Sequence, residues 1–246
     1  MVAIPDFSAG AMENWGMVTY RETRVLYDED HSSATAQQTT SPVITHELLH
    51  SYFGNLVSPS WWDVTWLSEA FARYYQYFAT AAIEPTWKFD QQFVVEQLQT
   101  VFATDGLESS IPMTNNVSTP AQISANFGTI TYAKGASIVR MTENFLGTNV
   151  FLAALHNYLV ARQYSTASPE DLWEALQEQV DSHELDLGSS IENILKTWTE
   201  QSGFPVVSVS MANGIATFTQ ERFLLRRSNT SVTNITWWVP ITWATD

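Results

Sequence analysis

Between Ser41 and about Gly203 the apolar positions recur every three and four residues, the helical period; on either side they alternate or cluster as strands do. Trp66 to Ala82 repeats at Leu67, Ala70, Phe71, Tyr74 and Phe78, and Pro85 to Thr104 at Phe89, Phe93, Val94, Leu98 and Val101. Each segment predicts one helix. Further helices are expected at Tyr132 to Leu146, Val150 to Arg162, and Ser168 to Val180, the last with Ser168 as its cap and Pro169 after it. Ser41-Pro42 reads as another helix start, with Ser as N-cap and Pro at the first helical position. Ahead of it, Gly16 to Tyr27 is β-branched and roughly alternating, which predicts one or two short strands, and a polar loop is expected from Asp28 to Thr40.

The pattern changes at Ser202-Gly203-Phe204-Pro205. Val206, Val207 and Val209, then Asn213-Gly214, then Ile215 to Phe218 predict a hairpin, because Asn-Gly suits the left-handed turn that joins two strands. More β-rich sequence follows through Ile235-Thr236-Trp237-Trp238-Val239 to Trp243. These strands are too few to close a sandwich or barrel. The expected class is therefore α+β, with a mainly helical domain over residues 1–203 and the truncated start of an all-β domain over residues 204–246.

Composition narrows the function classes. A chain of 246 residues holds one large domain or one and part of another. Aromatic residues make up 13%, ten of them Trp, which excludes a disordered chain. With 11 Lys+Arg against 26 Asp+Glu the net charge is -15, which argues against nucleic acid and against anionic lipid as partners. The absence of cysteine removes disulfides, thiolate zinc sites and cysteine nucleophiles together. No apolar run reaches the ~18 residues of a membrane span, and Met1 to Asp6 has no signal-peptide features.

Candidate chemistry lies in His46-Glu47-Leu48-Leu49-His50, an HExxH motif. Residues four apart share a helix face, so His46 and His50 can reach one zinc, while Glu47 points towards the attacking water. Chance would give roughly 0.007 such matches in a chain of this composition. A catalytic zinc needs a third protein ligand and an open position. Glu69 is the candidate, nineteen positions after His50 with eighteen residues between, on the next expected helix, in Trp66-Leu67-Ser68-Glu69-Ala70-Phe71-Ala72. The bland reading is that Glu69 only pairs with Arg73 one turn on; the apolar residues around it argue against an exposed face. Zinc acidifies water and polarises a carbonyl, and Glu47 can accept the water proton and return it to the leaving amine.

Gly10-Ala11-Met12-Glu13-Asn14, HExxH, the eighteen-residue gap and Glu69 together resemble the zinc aminopeptidases of the aminopeptidase N family. Phe53-Gly54-Asn55-Leu56-Val57, Trp61-Trp62 and Ile130 to Ser137 fit the same family, and the chain looks most similar to its insect midgut branch. The resemblance implies a thermolysin-like catalytic domain leading into a β-sandwich, one Zn2+, and peptide substrates with a free N-terminus. It implies that Glu13 binds the substrate amine, that Gly10, Ala11, Met12 and Asn14 belong to the same substrate-binding segment, and that Tyr132 donates to the oxyanion. It further implies flanking domains outside this stretch and a place on the extracellular face of the plasma membrane, to which sequons at Asn116, Asn229 and Asn234 correspond.

Two positions of the third-ligand motif depart from the family pattern: Ser68 stands where Asn is usual and Ala70 where Gly is usual. Tyr52 likewise replaces a common Trp. His31, His156 and His183 lie outside every motif and read as solvated or structural. Two other functions stay open at this point. One is an endopeptidase of thermolysin type, which an amine-binding Glu13 argues against. The other is a receptor-like ectodomain with an idle site, since insect relatives are docking sites for bacterial toxins.

Overall fold

A computed structural model of the protein describes residues 1–228 and 234–242. The chain opens with a small sheet of β1 (Val2–Ile4), β2 (Ala11–Met12) and β3 (Thr19–Arg21), in the order β1-β3-β2, with β1 parallel and β2 antiparallel to β3. β2, which carries the Gly10–Asn14 segment, is thus an edge strand. The second half of the expected Gly16–Tyr27 strand region is instead a helical turn, α1 (Glu22–Val25).

The helix bearing HExxH is longer than its proline suggests. α2 runs from Ala34 to His50 with Pro42 inside it, and its cap is Ser33, whose Oγ accepts from the Ala36 N–H at 3.2 Å. Proline within a helix forfeits one backbone hydrogen bond and crowds the preceding turn. Around this point Thr39, Thr40 and Thr45 hydroxyls donate to carbonyls four residues back, and Thr40, Pro42, Thr45, His46, Glu47 and His50 are buried. Packing of that face overrides the local start signal at Ser41, and the expected loop over residues 28–40 is helical from residue 34.

α3 (Trp66–Ile83) lies where the periodicity places it and forms the centre of the core with Phe71, Tyr74 and Tyr77 buried. α2 and α3 run antiparallel: Thr45 meets Thr80, while His50 meets Ser68 and Glu69. A parallel ladder joins β4 (Val57–Pro59) to β5 (Ser165–Ala167).

The expected single helix over residues 85–104 is broken. A 3₁₀ turn at Pro85–Trp87 ends at Lys88, whose φ of 57° is left-handed; α4 (Phe89–Phe93) follows, then a π-helical stretch (Val94–Gln99) and α5 (Thr100–Asp105). The break lets Phe89 and Phe93 turn onto Tyr77. After α6 (Pro120–Asn126), the helix expected from Tyr132 begins as a π-helical turn (Ile130–Lys134) and continues as α7 (Gly135–Leu146). α8 (Thr148–Arg162), α9 (Pro169–Ser182) and α10 (Ile191–Thr199) complete the helical part. Ser168 caps α9 as expected, its N–H bonded to Asp171.

Beyond it, β6 (Pro205–Ala212) and β7 (Ile215–Arg222) form the expected antiparallel hairpin, with Asn213 and Gly214 both at positive φ in its two-residue turn. The segment at 234–242 forms no strand, contrary to its β-rich composition. Gln220 takes both backbone groups of Trp237, and Trp198 Nε1 donates to the Trp238 carbonyl, so side chains satisfy this backbone where a ladder was expected. Trp243 and Asn229 fall outside the described residues.

Candidate metal centre and cleft

The antiparallel packing of α2 on α3 brings three donor atoms to one point. His46 Nε2 and His50 Nε2 are 3.0 Å apart, and each is 3.3 Å from Glu69 Oε2. Tetrahedral zinc with bonds of about 2.0–2.2 Å sets neighbouring ligand atoms about 3.3 Å apart, so the spacing fits that ion. Glu69 Oε2 is buried with no hydrogen bond of its own, the condition of a ligand atom rather than of a satisfied core carboxylate.

Titration follows from crowding. Burial drives His46 down to about 4, against the opposing carboxylate of Glu69. Burial opposes protonation of His50 too, but Glu69 and Glu13 outweigh it and hold His50 up near 9. Glu69 is likewise opposed by burial, yet the two imidazoles hold it well below the carboxylate range.

Neighbouring groups fix the orientation of His50. Its Nδ1 lies 2.9 Å from the Phe53 carbonyl and 2.9 Å from Ser68 Oγ, and Ser68 donates to the same carbonyl at 2.7 Å. A donor at Nδ1 leaves Nε2 with its lone pair towards the cluster. Gly54 is required here: its φ is +133°, and a Cβ would fall 2.8 Å from Ser68 Oγ. Ser68, which in the sequence is only a departure from the family pattern, thus contacts the candidate ligand His50 directly.

Glu47 is buried beside the cluster, with Oε2 unpartnered. Burial pushes it up to about 8; the charge on His50 opposes this, and Glu13 and Glu69 add to it. Glu13 Oε1 stands 4.0 Å from His50 Nδ1, and the Asn55 amide holds the Glu13 carbonyl at 2.8 Å, tying the edge strand to the loop after α2. Tyr132 lies over His46, ring centroids 6.2 Å apart, with its hydroxyl pushed up by burial and by Glu69.

Gly10, Ala11, Met12 and Glu13 line a cleft of about 680 Å³ together with the three candidate ligands, Glu47 and Tyr132. Asn14 is not among the lining residues; its amide donates to Thr19 Oγ1 at 3.0 Å and holds the segment to β3. Arg73 lines the cleft but forms no ion pair with Glu69 among the described residues, contrary to the bland reading of their spacing. His31, His156 and His183 are remote; His31 pairs with Asp28 at the surface.

A buried His-His-Glu cluster that could hold a metal ion thus lies beside Glu47 in a lined cleft. The chain belongs to peptidase family M1, whose domain model matches residues 1–198. It is 47% identical to Aminopeptidase Ey of Gallus gallus over 99% of the chain, and 44% identical to Aminopeptidase N of Bos taurus over 98%. It is 41% identical to Glutamyl aminopeptidase of Bos taurus along its whole length. The chain spans about a quarter of the length of these curated relatives.

Proposed function

We propose that this chain carries the catalytic centre of a zinc aminopeptidase that removes the N-terminal residue from peptides. The observation that carries the reading is the convergence of His46, His50 and Glu69 on one point with Glu47 and Glu13 on its flanks. Zinc, when bound, supplies a Lewis acid for the scissile carbonyl and a water that ionises near neutrality.

The chain's own residues supply the rest. Glu47, buried beside the cluster with Oε2 unpartnered, is placed to accept the water proton and return it to the leaving amine. Tyr132 keeps its proton at neutral pH and so offers an O–H to the developing oxyanion. Glu13 takes the substrate's α-ammonium in a charge-assisted hydrogen bond, which sets a fixed distance from amine to scissile bond. The segment Gly10–Asn14 contributes the strand along which the substrate lies. An amine-binding carboxylate at that place blocks the extended binding that an endopeptidase needs.

Hairpin β6–β7 leaves Val209, Met211 and Ile215 exposed, which supports the reading that it belongs to a larger β-sandwich. Asn116 and Asn234, two of the three sequon acceptors, are exposed, as glycosylation on an outer cell surface requires. No helix among the described residues is long and apolar enough to cross a membrane.

The test uses the full-length protein. It is expected to bind one zinc and to cleave leucine anilide, but not its N-acetylated analogue. Cleavage of the acetylated compound would exclude the exopeptidase reading. Zinc binding without any turnover would favour a receptor-like surface, the bacterial-toxin docking role of the insect relatives included.

A further inference from the structure

We propose that Arg73 is the anchor for a carboxylate that the substrate carries beyond the scissile bond; this rests on the reading that Glu13 holds the amine. Arg73 lies on α3 one turn after Glu69, so both side chains face the same cleft. Its guanidinium sits over the Tyr132 ring, 5.1 Å from the centroid. Its Nε is buried with no hydrogen-bond partner, and among the described residues no carboxylate lies within ion-pair distance of it.

The nearby acids are already committed. Glu69 faces the two imidazoles, and Glu96, which lines the same cleft, accepts from the Tyr77 hydroxyl at 2.6 Å. A buried Nε without an acceptor is costly, whereas the planar fork of the half-buried guanidinium matches a carboxylate with two parallel hydrogen bonds. Stacking on Tyr132 holds the fork at one face of the cleft and limits the entropy lost on binding.

Position sets which part of the substrate it meets. Glu13 stands on the His50 side of the metal-ligand cluster, and Arg73 stands with Tyr132 on the His46 side. A peptide whose amine is held at Glu13 and whose first carbonyl lies at the cluster therefore presents its following residue towards Arg73. The carboxylate can be the α-carboxylate of a dipeptide or an acidic side chain at the second position. Both have the same chemistry.

Two substrate pairs separate these sources in the zinc-loaded full-length protein: Leu-Gly against Leu-Gly amide, and Leu-Glu amide against Leu-Gln amide. In at least one pair the carboxylate-bearing member is expected to be favoured by roughly tenfold in kcat/KM, mainly through KM. The first pair reports the α-carboxylate and the second the side chain. Arg73→Met should bring the favoured ratio to within about twofold of one, and Arg73→Lys, which keeps charge but loses the fork, should leave an intermediate ratio. Zinc content and thermal midpoint are measured on each variant, and if Arg73→Met does not fold, an unchanged ratio in Arg73→Lys counts against the proposal. Ratios near one for both pairs in the unmodified protein, or a preference that survives in folded Arg73→Met, overturn it. Leucine anilide has no carboxylate, so failure to cleave it with zinc bound sinks the aminopeptidase reading itself and this inference with it.

Discussion

Among the described residues, two buried clusters of charged side chains are built in opposite ways. At the first, His46 Nδ1, Glu47 Oε2 and Glu69 Oε2 are buried without hydrogen-bond partners. At the second, Lys134 and Asp105 are each partnered several times over. Lys134 Nζ pairs with Asp105 at 2.8 Å and donates to the carbonyls of Gln201 and Gly203, while Asp105 also accepts from Ser110 and from the Gly203 N–H. An unmade hydrogen bond in the interior costs roughly 1–3 kcal/mol, so a folded protein tolerates several together only where something else compensates them. The incomplete cluster is the one we propose holds a metal; the other is a clamp. The two also touch through sequence, because Lys134 lies in the π-helical turn that carries Tyr132, and so the clamp ties that turn to the junction before β6.

The largest expected effect tests the first cluster. Glu47→Gln should lower kcat by about 10²- to 10⁴-fold, the range for loss of a positioned acid-base group, with zinc content retained. Its thermal midpoint should not fall, since the substitution removes a buried and unpaired acid. A loss of stability alongside activity would show that this cluster, too, supports the fold.

The clamp should behave in the reverse sense. Lys134→Met leaves Asp105 buried without its cation, and breaking such a pair by one partner costs about 3–5 kcal/mol. Denaturant titration should show that loss, and zinc stoichiometry at low denaturant should be unchanged. If Lys134→Met instead matches the stability of the unmodified protein, the contrast between the clusters fails.

Zinc itself sharpens the comparison. At a free concentration of 100 times its Kd, a ligand that binds only the folded state stabilises it by about 2.7 kcal/mol. Chelation should therefore lower the melting temperature of the unmodified protein and of Glu47→Gln, but not of His50→Ala. A chelator response that persists in His50→Ala would place the metal elsewhere.

A smaller effect is expected at Gly135, which follows Lys134 in the chain and packs on Ala70, the residue after Glu69. A Cβ there would lie 2.6 Å from the Cβ of Ala70. The resemblance leads one to expect Gly at 70; here the methyl of Ala70 is accommodated by the bare Cα of Gly135 opposite. Gly135→Ala should cost about 1–3 kcal/mol by overpacking, read from the denaturation midpoint. Ala70→Gly combined with it should recover part of that loss.

What could be read from sequence follows the range of the interactions. His46, Glu47 and His50 are legible because four-residue spacing on a helix is local geometry. Glu69 is legible because the apolar residues around it imply burial. Lys134 and Asp105 are not, since they meet only after the helix over 85–104 breaks at Lys88 and the Tyr132 helix begins with a π turn. Arg73 misleads for a related reason: its spacing from Glu69 is that of a helical ion pair, yet its guanidinium turns onto Tyr132. Ile235 to Val239 has strand composition, but Gln220 and Trp198 satisfy its backbone. Each failure lies where a long-range contact outweighs a local preference worth about 1 kcal/mol or less.

The start of α2 gives the smallest and cleanest test of that rule. The proline signal points to Ser41 as the cap, whereas the structure has Ser33 accepting from the Ala36 N–H and the helix passing through Pro42. Replacing an N-cap serine by alanine costs about 1 kcal/mol, because a backbone donor loses its only partner. Ser33→Ala should therefore lower the unfolding free energy by about that amount, and Ser41→Ala by a few tenths at most. The same pair asks how independent the metal cluster is of the helix that carries it. His46 and His50 occupy the opposite end of α2, packed on α3, so Ser33→Ala should leave zinc affinity unchanged while it loosens the first turn. A fall in zinc affinity with Ser33→Ala would mean that the metal cluster depends on the whole helix and not only on its contacts with α3.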